Sequence, residues 1–270
     1  MNKTINVRGR LLDLSQPVVM GILNVTPDSF YSESRVQSEE AILQRAHEIV
    51  EQGGSIIDVG ACSTRPGGVE VDEAEELRRL GVALRLIRRE MPDVILSVDT
   101  FRPIVARRCV EEWGADIIND VAEGQRTDAD GTTMATCISR LQVPYILMSV
   151  KPDIQTMVRS FGREVAELHA LGVKDIILDP GFGFGKTLDD NYAVLAQMEL
   201  LQVLQLPILV GVSRKSMIYK LLNGTPQTSL NGTTVLHSVA LQKGADILRV
   251  HDVRQAVEVV SIITKLKASS

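Results

Sequence analysis

The chain has few cysteines and no apolar run long enough to cross a membrane. Its three cysteines, Cys62, Cys109 and Cys137, show no CxxC spacing. This argues against a disulfide framework or a zinc site and favours a reducing compartment. No apolar run approaches the ~18 residues of a membrane span, and the N-terminal residues lack the apolar core of a signal peptide. We therefore expect a soluble, cytoplasmic protein.

The sequence also lacks an excess of positive charge. Its 29 lysines and arginines stand against 34 acidic residues, which gives a net charge of -5. This composition offers no basic surface for nucleic acid, so any anion must be bound by a few local cations. The length of 270 residues and the 44% hydrophobic content are ordinary for a globular protein with a sizeable core.

What the sequence does contain is eight short apolar runs that alternate with longer amphipathic stretches. The runs are VVMGILNV, SIIDVG, VILSVD, DIIND, PYILMSV, DIILD, PILVGV and DILRV. Eight strand–helix units over about 250 residues predict a (β/α)8 TIM barrel, here a single domain over residues 1–270. Strands that are apolar on both faces are typical of a parallel sheet. An open doubly wound sheet is the alternative, and residues 5–17 are expected to form a short β-ribbon.

Polar residues stand at the ends of these runs, where barrel enzymes carry their active sites. They are Asn24, Asp58, Asp99, Asn119, Asp120, Ser149, Asp179, Ser213, Lys215, Arg249 and His251. Any single one can be a helix cap or can fix a loop. A buried carboxylate needs donors or a cation to offset its desolvation. The group as a whole therefore predicts a site for a ligand that has hydrogen-bond donors.

The segment DPGFGFGKT resembles a phosphate-binding loop but lacks its spacing. Pro180 occupies the position six residues before Lys186 where a G-x-x-x-x-G-K-T loop has glycine. A carboxylate, Asp179, also stands directly in front of the glycines. We favour a flexible loop that brings its backbone and Phe184 close to a flat ligand. A fused aminopyrimidinone ring has two parallel N–H groups that such a carboxylate can accept.

Cations follow the last two runs. Arg214 and Lys215 come after the seventh run, Arg249 lies near the end of the eighth, and His251 directly follows the eighth. Barrels often hold phosphate at these two loops. A solvated pair of cations and a structural histidine are the alternatives. Asn24 either caps a turn or ligates Mg²⁺, a hard cation that takes oxygen ligands.

Seven segments resemble, in order, the motifs of the dihydropteroate synthase family of pterin-binding enzymes. They are MGILNVTPDSF, IIDVGACSTRPGG, SVDT, IIND, LDPGFGFGK, VGVSRKSMI and RVHDV. The resemblance covers nearly the whole chain and implies a (β/α)8 barrel. It also implies an enzyme of folate biosynthesis that joins 4-aminobenzoate to 6-hydroxymethyl-7,8-dihydropterin diphosphate and releases pyrophosphate. Mg²⁺ dependence, inhibition by sulfonamides and a homodimer are implied as well.

The resemblance assigns roles to matching positions. The pterin ring would be held by Asp58, Asp99, Asn119, Met148, Asp179 and Lys215. The diphosphate would be held by Asn24, Arg249 and His251, with Asn24 also on Mg²⁺. The 4-aminobenzoate site would be formed by Thr64, Arg65, Pro66, Phe184 and Ser216. Catalytic roles fall to Asp28, Arg65, Asp99, Lys215 and Arg249. The family chemistry implies that pyrophosphate leaves before the amine attacks, with no obligatory general base.

The chain departs from the family at several loop positions. Ser149 stands where many members have histidine, and VKPDIQTM, Cys62 and FYSES also differ. Two other functions therefore stay open, a methyltetrahydrofolate-binding methyltransferase domain and a non-catalytic pterin-binding module. The segments STRPG and SRKS speak against the methyltransferase, which has no use for a diphosphate site. A sugar-phosphate aldolase or isomerase would rest on the fold alone.

Overall fold

The structure, a computed structural model, describes residues 3–25, 35–61 and 71–269. The chain opens with an antiparallel ribbon of two strands, β1 (Thr4–Val7) and β2 (Arg10–Asp13). Arg8 and Gly9 form its turn, both at positive φ. The expected ribbon at 5–17 thus corresponds to strands that begin at residue 4 and end at residue 13.

Eight parallel strands follow within the described residues, one at each predicted run. They are β3 (Val18–Asn24), β4 (Ile56–Gly60), β5 (Ile95–Asp99), β6 (Ile117–Asp120), β7 (Tyr145–Met148), β8 (Ile176–Asp179), β9 (Leu209–Val210) and β10 (Ile247–Val250). Their order in the sheet is β8-β7-β6-β5-β4-β3-β10-β9. A parallel bridge between Leu178 and Ile208 joins the two outer strands. The predicted barrel is confirmed, and the open doubly wound sheet is excluded.

Helices cover the outside of the barrel. They are α1 (Arg35–Glu51), α2 (Glu73–Glu90), α3 (Pro103–Trp113), α4 (Met134–Leu141), α5 (Ile154–Ala170), α6 (Leu188–Ala196), α7 (Ser216–Leu221), α8 (Leu230–Gln242) and α9 (Val253–Lys267). Side-chain caps fix several starts: Asp153, for example, accepts the Thr156 N–H ahead of α5. Among the described residues, no helix is both long and apolar enough to span a membrane.

One apolar side chain from each barrel strand fills the N-terminal end of the barrel interior. These residues are Met20, Ile56, Ile95, Ile117, Ile146, Ile177, Leu209 and Ile247. Ile5 of the ribbon and Leu14 pack on them from below. Alternate residues of a strand face the same side. The next interior positions toward the C-terminal end are therefore Ile22, Asp58, Ser97, Asn119, Met148, Asp179, Gly211 and Arg249. This alternation places the predicted polar residues directly above an apolar floor.

Candidate active site

Arg249 is the centre of a buried ion-pair network at the C-terminal end of the barrel. Its Nε donates to Asp58 Oδ2 at 2.7 Å, and its Nη2 donates to Asp99 Oδ2 at 2.7 Å. Asn119 Nδ2 donates to the same Asp58 oxygen at 3.2 Å. Four predicted site residues from β4, β5, β6 and β10 therefore meet in one place.

Two acceptors in this network have no partner among the described residues. They are Asp58 Oδ1 and Asn119 Oδ1, and both are buried. An unsatisfied buried acceptor costs about 1–3 kcal/mol, so proteins rarely keep one without a reason. Met148 is fully buried on β7 and pairs in register with Asp179 on β8. The interior thus presents hydrogen-bond acceptors beside an apolar, polarisable side chain.

The carboxyl groups of Asp99 and Asp179 are also buried. Burial raises the pKa of Asp99 to about 7, although the Arg249 guanidinium acts in the opposite direction. Burial likewise raises the pKa of Asp179, opposed by Lys215 and by the Gly181 N–H, which donates to Asp179 Oδ1 at 2.8 Å. Both carboxyl groups would gain from a ligand that donates hydrogen bonds to them.

Lys215 enters the site from the loop after β9. Its Nζ donates to the Phe182 carbonyl oxygen and lies 4.5 Å from the centroid of the Phe184 ring. Burial lowers the pKa of Lys215 to about 8, with Asp179 acting in the opposite direction. Phe182 is fully buried and anchors the loop in the core, while Phe184 is half-buried.

The three alternating glycines serve close packing. Gly181, Gly183 and Gly185 all have positive φ, of 65°, 82° and 60°. A Cβ on Gly181 would overlap the Ser149 carbonyl oxygen, and one on Gly183 would lie 3.1 Å from Lys215 Cδ. The loop can therefore lie against the end of β7 and against the Lys215 side chain only with glycine at these positions.

Lys186, which a phosphate loop would direct at its ligand, instead binds protein carbonyls. Its Nζ donates to the carbonyl oxygens of Ser149, Gly181 and Phe184 at 3.0, 3.1 and 3.2 Å. Burial lowers its pKa to about 8. These contacts agree with the prediction that the segment is not a phosphate-binding loop, and they hold in place a loop that the sequence predicted to be flexible.

The chain's departure at Ser149 is accompanied by a contact that sequence reasoning missed. Glu123, in the loop after β6, accepts the Val150 N–H at 2.9 Å and faces Lys151 Nζ at 3.2 Å. Ser149 Oγ lies 3.4 Å from the same carboxylate. Glu123 has a φ of 55°, and no pattern in the sequence marks such a side chain. The loops after β6 and β7 are therefore joined.

Asp120, the neighbour of Asn119, has a structural role. Its carboxylate accepts the Tyr145 hydroxyl at 2.7 Å and the N–H groups of Ala122 and Gly124 at 2.7 and 2.9 Å. Because its oxygens are satisfied by the protein, Asp120 shapes the loop after β6. Asn119 faces the interior of the barrel and Asp120 does not, as the alternation of the strand requires.

The residues expected at the diphosphate lie at the ends of β3 and β10. Asn24 is exposed at the last position of β3, with its Oδ1 close to Gly60 of the next strand. The His251 N–H donates to Ser213 Oγ at 3.2 Å, and Arg45 of α1 donates to the His251 carbonyl oxygen at 2.7 Å. Arg45 was not predicted, because its helix position resembles that of any solvated cation.

The remaining predicted positions divide into two groups. Ser216 begins α7, and Lys215 is the N-cap of that helix. Asp28, Thr64, Arg65 and Pro66 lie outside the described residues. Within residues 3–25, 35–61 and 71–269, no group of three or more His, Cys, Asp or Glu side chains is arranged to hold a metal ion.

Unsatisfied acceptors and buried cations at the C-terminal end of a barrel are typical of an enzyme whose ligand has hydrogen-bond donors and negative charge. The family model for "Pterin binding enzyme" matches residues 20–251. A dihydropteroate synthase from Escherichia coli K12 is 40% identical over 95% of this chain and 94% of its own length. The Bacillus subtilis relative is 39% identical over 91% and 87%. The chain therefore belongs to the pterin-binding enzymes and, among them, to the dihydropteroate synthase family.

Solved structures agree with this placement. A Xanthomonas albilineans dihydropteroate synthase with 4-aminobenzoic acid is 34% identical, with a TM-score of 0.89 and coverage of 99% of both chains. A Yersinia pestis dihydropteroate synthase in a sulfonamide drug complex is 37% identical, with a TM-score of 0.88 and coverage of 99% and 100%. The likeness extends over the whole barrel.

Proposed function

We propose that the protein condenses 4-aminobenzoate with 6-hydroxymethyl-7,8-dihydropterin diphosphate, forming 7,8-dihydropteroate and pyrophosphate in folate biosynthesis. One observation carries the proposal beyond family membership. Asp58 Oδ1 and Asn119 Oδ1 are buried acceptors without a partner among the described residues. A pterin ring supplies N–H donors at this depth and has a flat face that can pack on Met148, which a sugar phosphate lacks.

At the pterin end, acceptors and a donor are arranged for a flat heterocycle. Asp179 would accept the amino and ring N–H groups of the pterin, and Lys215 would donate to its ring carbonyl. Asp99 and Asn119 would hold the opposite edge, with Met148 packed on the ring face. Bidentate hydrogen bonds of a carboxylate to two parallel donors are among the stronger polar contacts available.

At the diphosphate end, Arg249 and His251 would bind the leaving group. The positive charge of Arg249 and a hydrogen bond from the His251 side chain would stabilise the charge that develops on pyrophosphate as the C–O bond breaks. The exposed amide oxygen of Asn24 at the end of β3 fits a hard cation that takes its other ligands from phosphate and water. When bound there, Mg²⁺ would neutralise charge on the diphosphate.

We propose a dissociative order for the reaction. The bond between the pterin methylene carbon and the diphosphate oxygen breaks first, and the buried carboxylates stabilise the resulting cation. The amine nitrogen of 4-aminobenzoate then attacks the methylene carbon and loses its proton to solvent. Phe184 and Ser216 would border the 4-aminobenzoate site together with Thr64, Arg65 and Pro66, and Asp28 would act from the first loop. No residue has to act as a strong base, since an aromatic amine is a sufficient nucleophile for a carbocation.

Three further properties are proposed with this function. We expect a cytoplasmic homodimer, with exposed apolar side chains of α8 and α9 at its interface, namely Val235, Ile262 and Leu266. Analytical ultracentrifugation checks the dimer.

We also expect sensitivity to sulfonamides, because inhibitor and 4-aminobenzoate would occupy nearly the same space. A sulfamethoxazole inhibition constant far above the Michaelis constant for 4-aminobenzoate would contradict it.

The test of the function is pyrophosphate release by the purified protein with Mg²⁺ and the pterin diphosphate. Release that depends on 4-aminobenzoate, with dihydropteroate formed, is the expected result. Slow release without 4-aminobenzoate would support the dissociative order. Binding of the ligand without release in either case would indicate a non-catalytic pterin-binding module and point to the loop at Ser149. Binding of methyltetrahydrofolate instead would indicate the methyltransferase.

A further inference from the structure

The loop after β9 contains an arginine in an unusual backbone conformation. Arg214 has a φ of 55°, in the left-handed region that residues other than glycine seldom adopt. Its N–H donates to Thr233 Oγ1 of α8 at 3.1 Å. The turn lets consecutive side chains diverge: Lys215 reaches the Phe182 carbonyl oxygen inside the site, whereas Arg214 extends to the neighbouring loop. Such a conformation persists only where surrounding contacts hold it.

The Arg214 guanidinium forms an ion pair with the loop after β10. Its Nε and Nη2 donate to the two carboxylate oxygens of Asp252 at 2.8 and 2.7 Å. Its Nη1 donates to the carbonyl oxygens of Pro226 and Gln227 at 2.9 and 3.1 Å. A planar guanidinium that makes a bidentate pair and two further hydrogen bonds is fixed in orientation as well as in position.

Asp252 directly follows His251, the residue expected at the diphosphate. The His251 N–H donates to Ser213 Oγ at 3.2 Å, and Ser213 directly precedes Arg214. Two successive residues of one loop thus bind two successive residues of the next. Lys215 of the pterin end directly follows Arg214, and His251 of the diphosphate end is itself bound through its N–H and directly precedes Asp252.

We propose that Arg214 is a positioning residue that fixes Lys215 and His251 relative to each other through its ion pair with Asp252. The proposal rests on the proposed function, because it assigns Lys215 and His251 to the two ends of one substrate. A substrate that spans both ends benefits when their separation is held constant. A ligand that occupies only one end gains little from it.

The pair differs from ordinary surface ion pairs of this protein. The side chains of Arg214 and Asp252 are 26% and 18% exposed, whereas those of the bidentate pair Arg108 and Glu112 on α3 are 40% and 46% exposed. Exposed pairs contribute little to stability and fix little geometry. Arg108→Ala is therefore a matched control that removes a bidentate pair far from the site.

The test uses Arg214→Gly, Asp252→Asn and the double variant in the full-length protein. Glycine adopts a φ of 55° without strain, so the first variant removes the guanidinium and tolerates the turn. Asparagine keeps the size of Asp252 and removes its charge. For each variant, kcat and KM are measured for both substrates. Dissociation constants are measured by calorimetry for inorganic pyrophosphate and for 6-hydroxymethylpterin, and circular dichroism checks the fold.

The expected result is a selective loss for the joined substrate. For both single variants, kcat/KM for the pterin diphosphate should fall roughly tenfold or more. The dissociation constants of pyrophosphate and of the bare pterin, and the Michaelis constant for 4-aminobenzoate, should each change by less than about threefold. The double variant should be no worse than either single variant, because both remove the same contact. Arg108→Ala should match the wild type.

Other outcomes overturn the proposal. An unchanged kcat/KM in Arg214→Gly, additive losses in the double variant, or equal losses for the joined substrate and for its separate ends would each contradict a positioning role. Failure of the proposed function would be seen in the wild type itself, which would release no pyrophosphate. Failure of the positioning role alone would leave the wild type active and the variants as active as the wild type.

Discussion

The two ends of the barrel interior are built from the same strands but treat buried polar groups differently. At the N-terminal end, the fully buried Asp116 carboxylate accepts hydrogen bonds from Arg8, Arg88 and the Leu96 N–H. At the C-terminal end, Asp58 Oδ1 and Asn119 Oδ1 have no partner among the described residues. Removing a partner from a satisfied buried carboxylate destabilises the fold, whereas an unsatisfied acceptor inside a barrel mouth can be met by a ligand.

A cavity alone does not identify the functional end of this barrel. A cavity of about 410 Å³ lies at the N-terminal end, lined in part by Arg8, Arg88 and Asp116. Its carboxylate already has its hydrogen bonds, and no predicted site residue borders it. The two ends differ in their acceptors: Asp58 Oδ1 and Asn119 Oδ1 have no partner among the described residues, whereas both oxygens of Asp116 accept hydrogen bonds. Four substitutions and a pH titration test this distinction.

The largest expected effect comes from Arg249, where stability and function coincide. Arg249→Ala should lower the free energy of unfolding by about 3–5 kcal/mol at pH 7, because Asp58 and Asp99 lose their cation. The loss should shrink at pH 5, since burial raises the pKa of Asp99 to about 7 and the protonated Asp99 carboxyl group needs no cation. Chemical denaturation at both pH values checks this. Pyrophosphate affinity should also fall while the affinity for the bare pterin is nearly unchanged. An equal loss of stability at the two pH values would contradict the explanation.

Truncating the apolar floor should affect stability alone. Ile177 is fully buried in the layer below Asp179. Ile177→Ala should cost about 2–5 kcal/mol of unfolding free energy, because it leaves a cavity. The dissociation constant of the pterin should change by less than about twofold. Val203, which is 70% exposed, provides the control, and Val203→Ala should have almost no effect. A large loss of pterin affinity in Ile177→Ala would break the separation of the two ends.

Asp179→Asn should have the opposite consequence. One carboxylate oxygen becomes a donor that faces a ligand donor, so pterin affinity should fall by about 2–4 kcal/mol. Stability should stay constant or rise at neutral pH, because burial raises the pKa of Asp179 and its ionised form therefore disfavours folding. Calorimetry with the pterin and thermal denaturation measure the two quantities.

Asp116→Asn at the other end is the matched control for Asp179→Asn. It should lower the free energy of unfolding by about 1–3 kcal/mol, because two arginines and a backbone N–H lose a charged acceptor. Pterin affinity should stay unchanged. If both asparagine variants changed the same quantity, the contrast between the ends would be wrong.

The smallest effect concerns the charge of Lys215. Its pKa is lowered to about 8 by burial, so the ammonium group that would donate to the pterin is lost as the pH rises through 8. Pterin affinity should therefore fall by up to about tenfold per pH unit above pH 8. Lys215→Arg, which keeps its charge, should remove this dependence. Lys186→Arg should retain it, although the pKa of Lys186 is also about 8.

The fold and the composition of the site were accessible from sequence for a simple reason. Strand alternation places Asp58, Asn119, Asp179 and Arg249 two residues beyond interior apolar positions, so one face of each strand is readable. Local rules of this kind depend only on residues close together in the chain.

Contacts between distant segments were not accessible in this way. Arg249 binds two carboxylates 191 and 150 residues earlier in the chain. Arg214, which resembled one member of a solvated pair, depends on a left-handed turn and on Asp252. Glu123 and Arg45 reach neighbouring loops from positions that carry no periodic signal. The partners of such side chains come from distant segments that the fold brings together. The spacing of residues along one strand or helix does not predict these partners.

The pairing of Arg249 with Asp58 and Asp99 has a consequence for turnover. If Arg249 binds pyrophosphate as proposed, the two carboxylates would compete with the product for the same guanidinium. Once the bond to the pterin is broken, pyrophosphate would lose the advantage of being tethered, while the carboxylates would remain attached to the barrel at a fixed distance. The return of Arg249 to its own strands would thereby favour product release, and a network that helps to hold the folded chain together would also reset the enzyme for the next cycle.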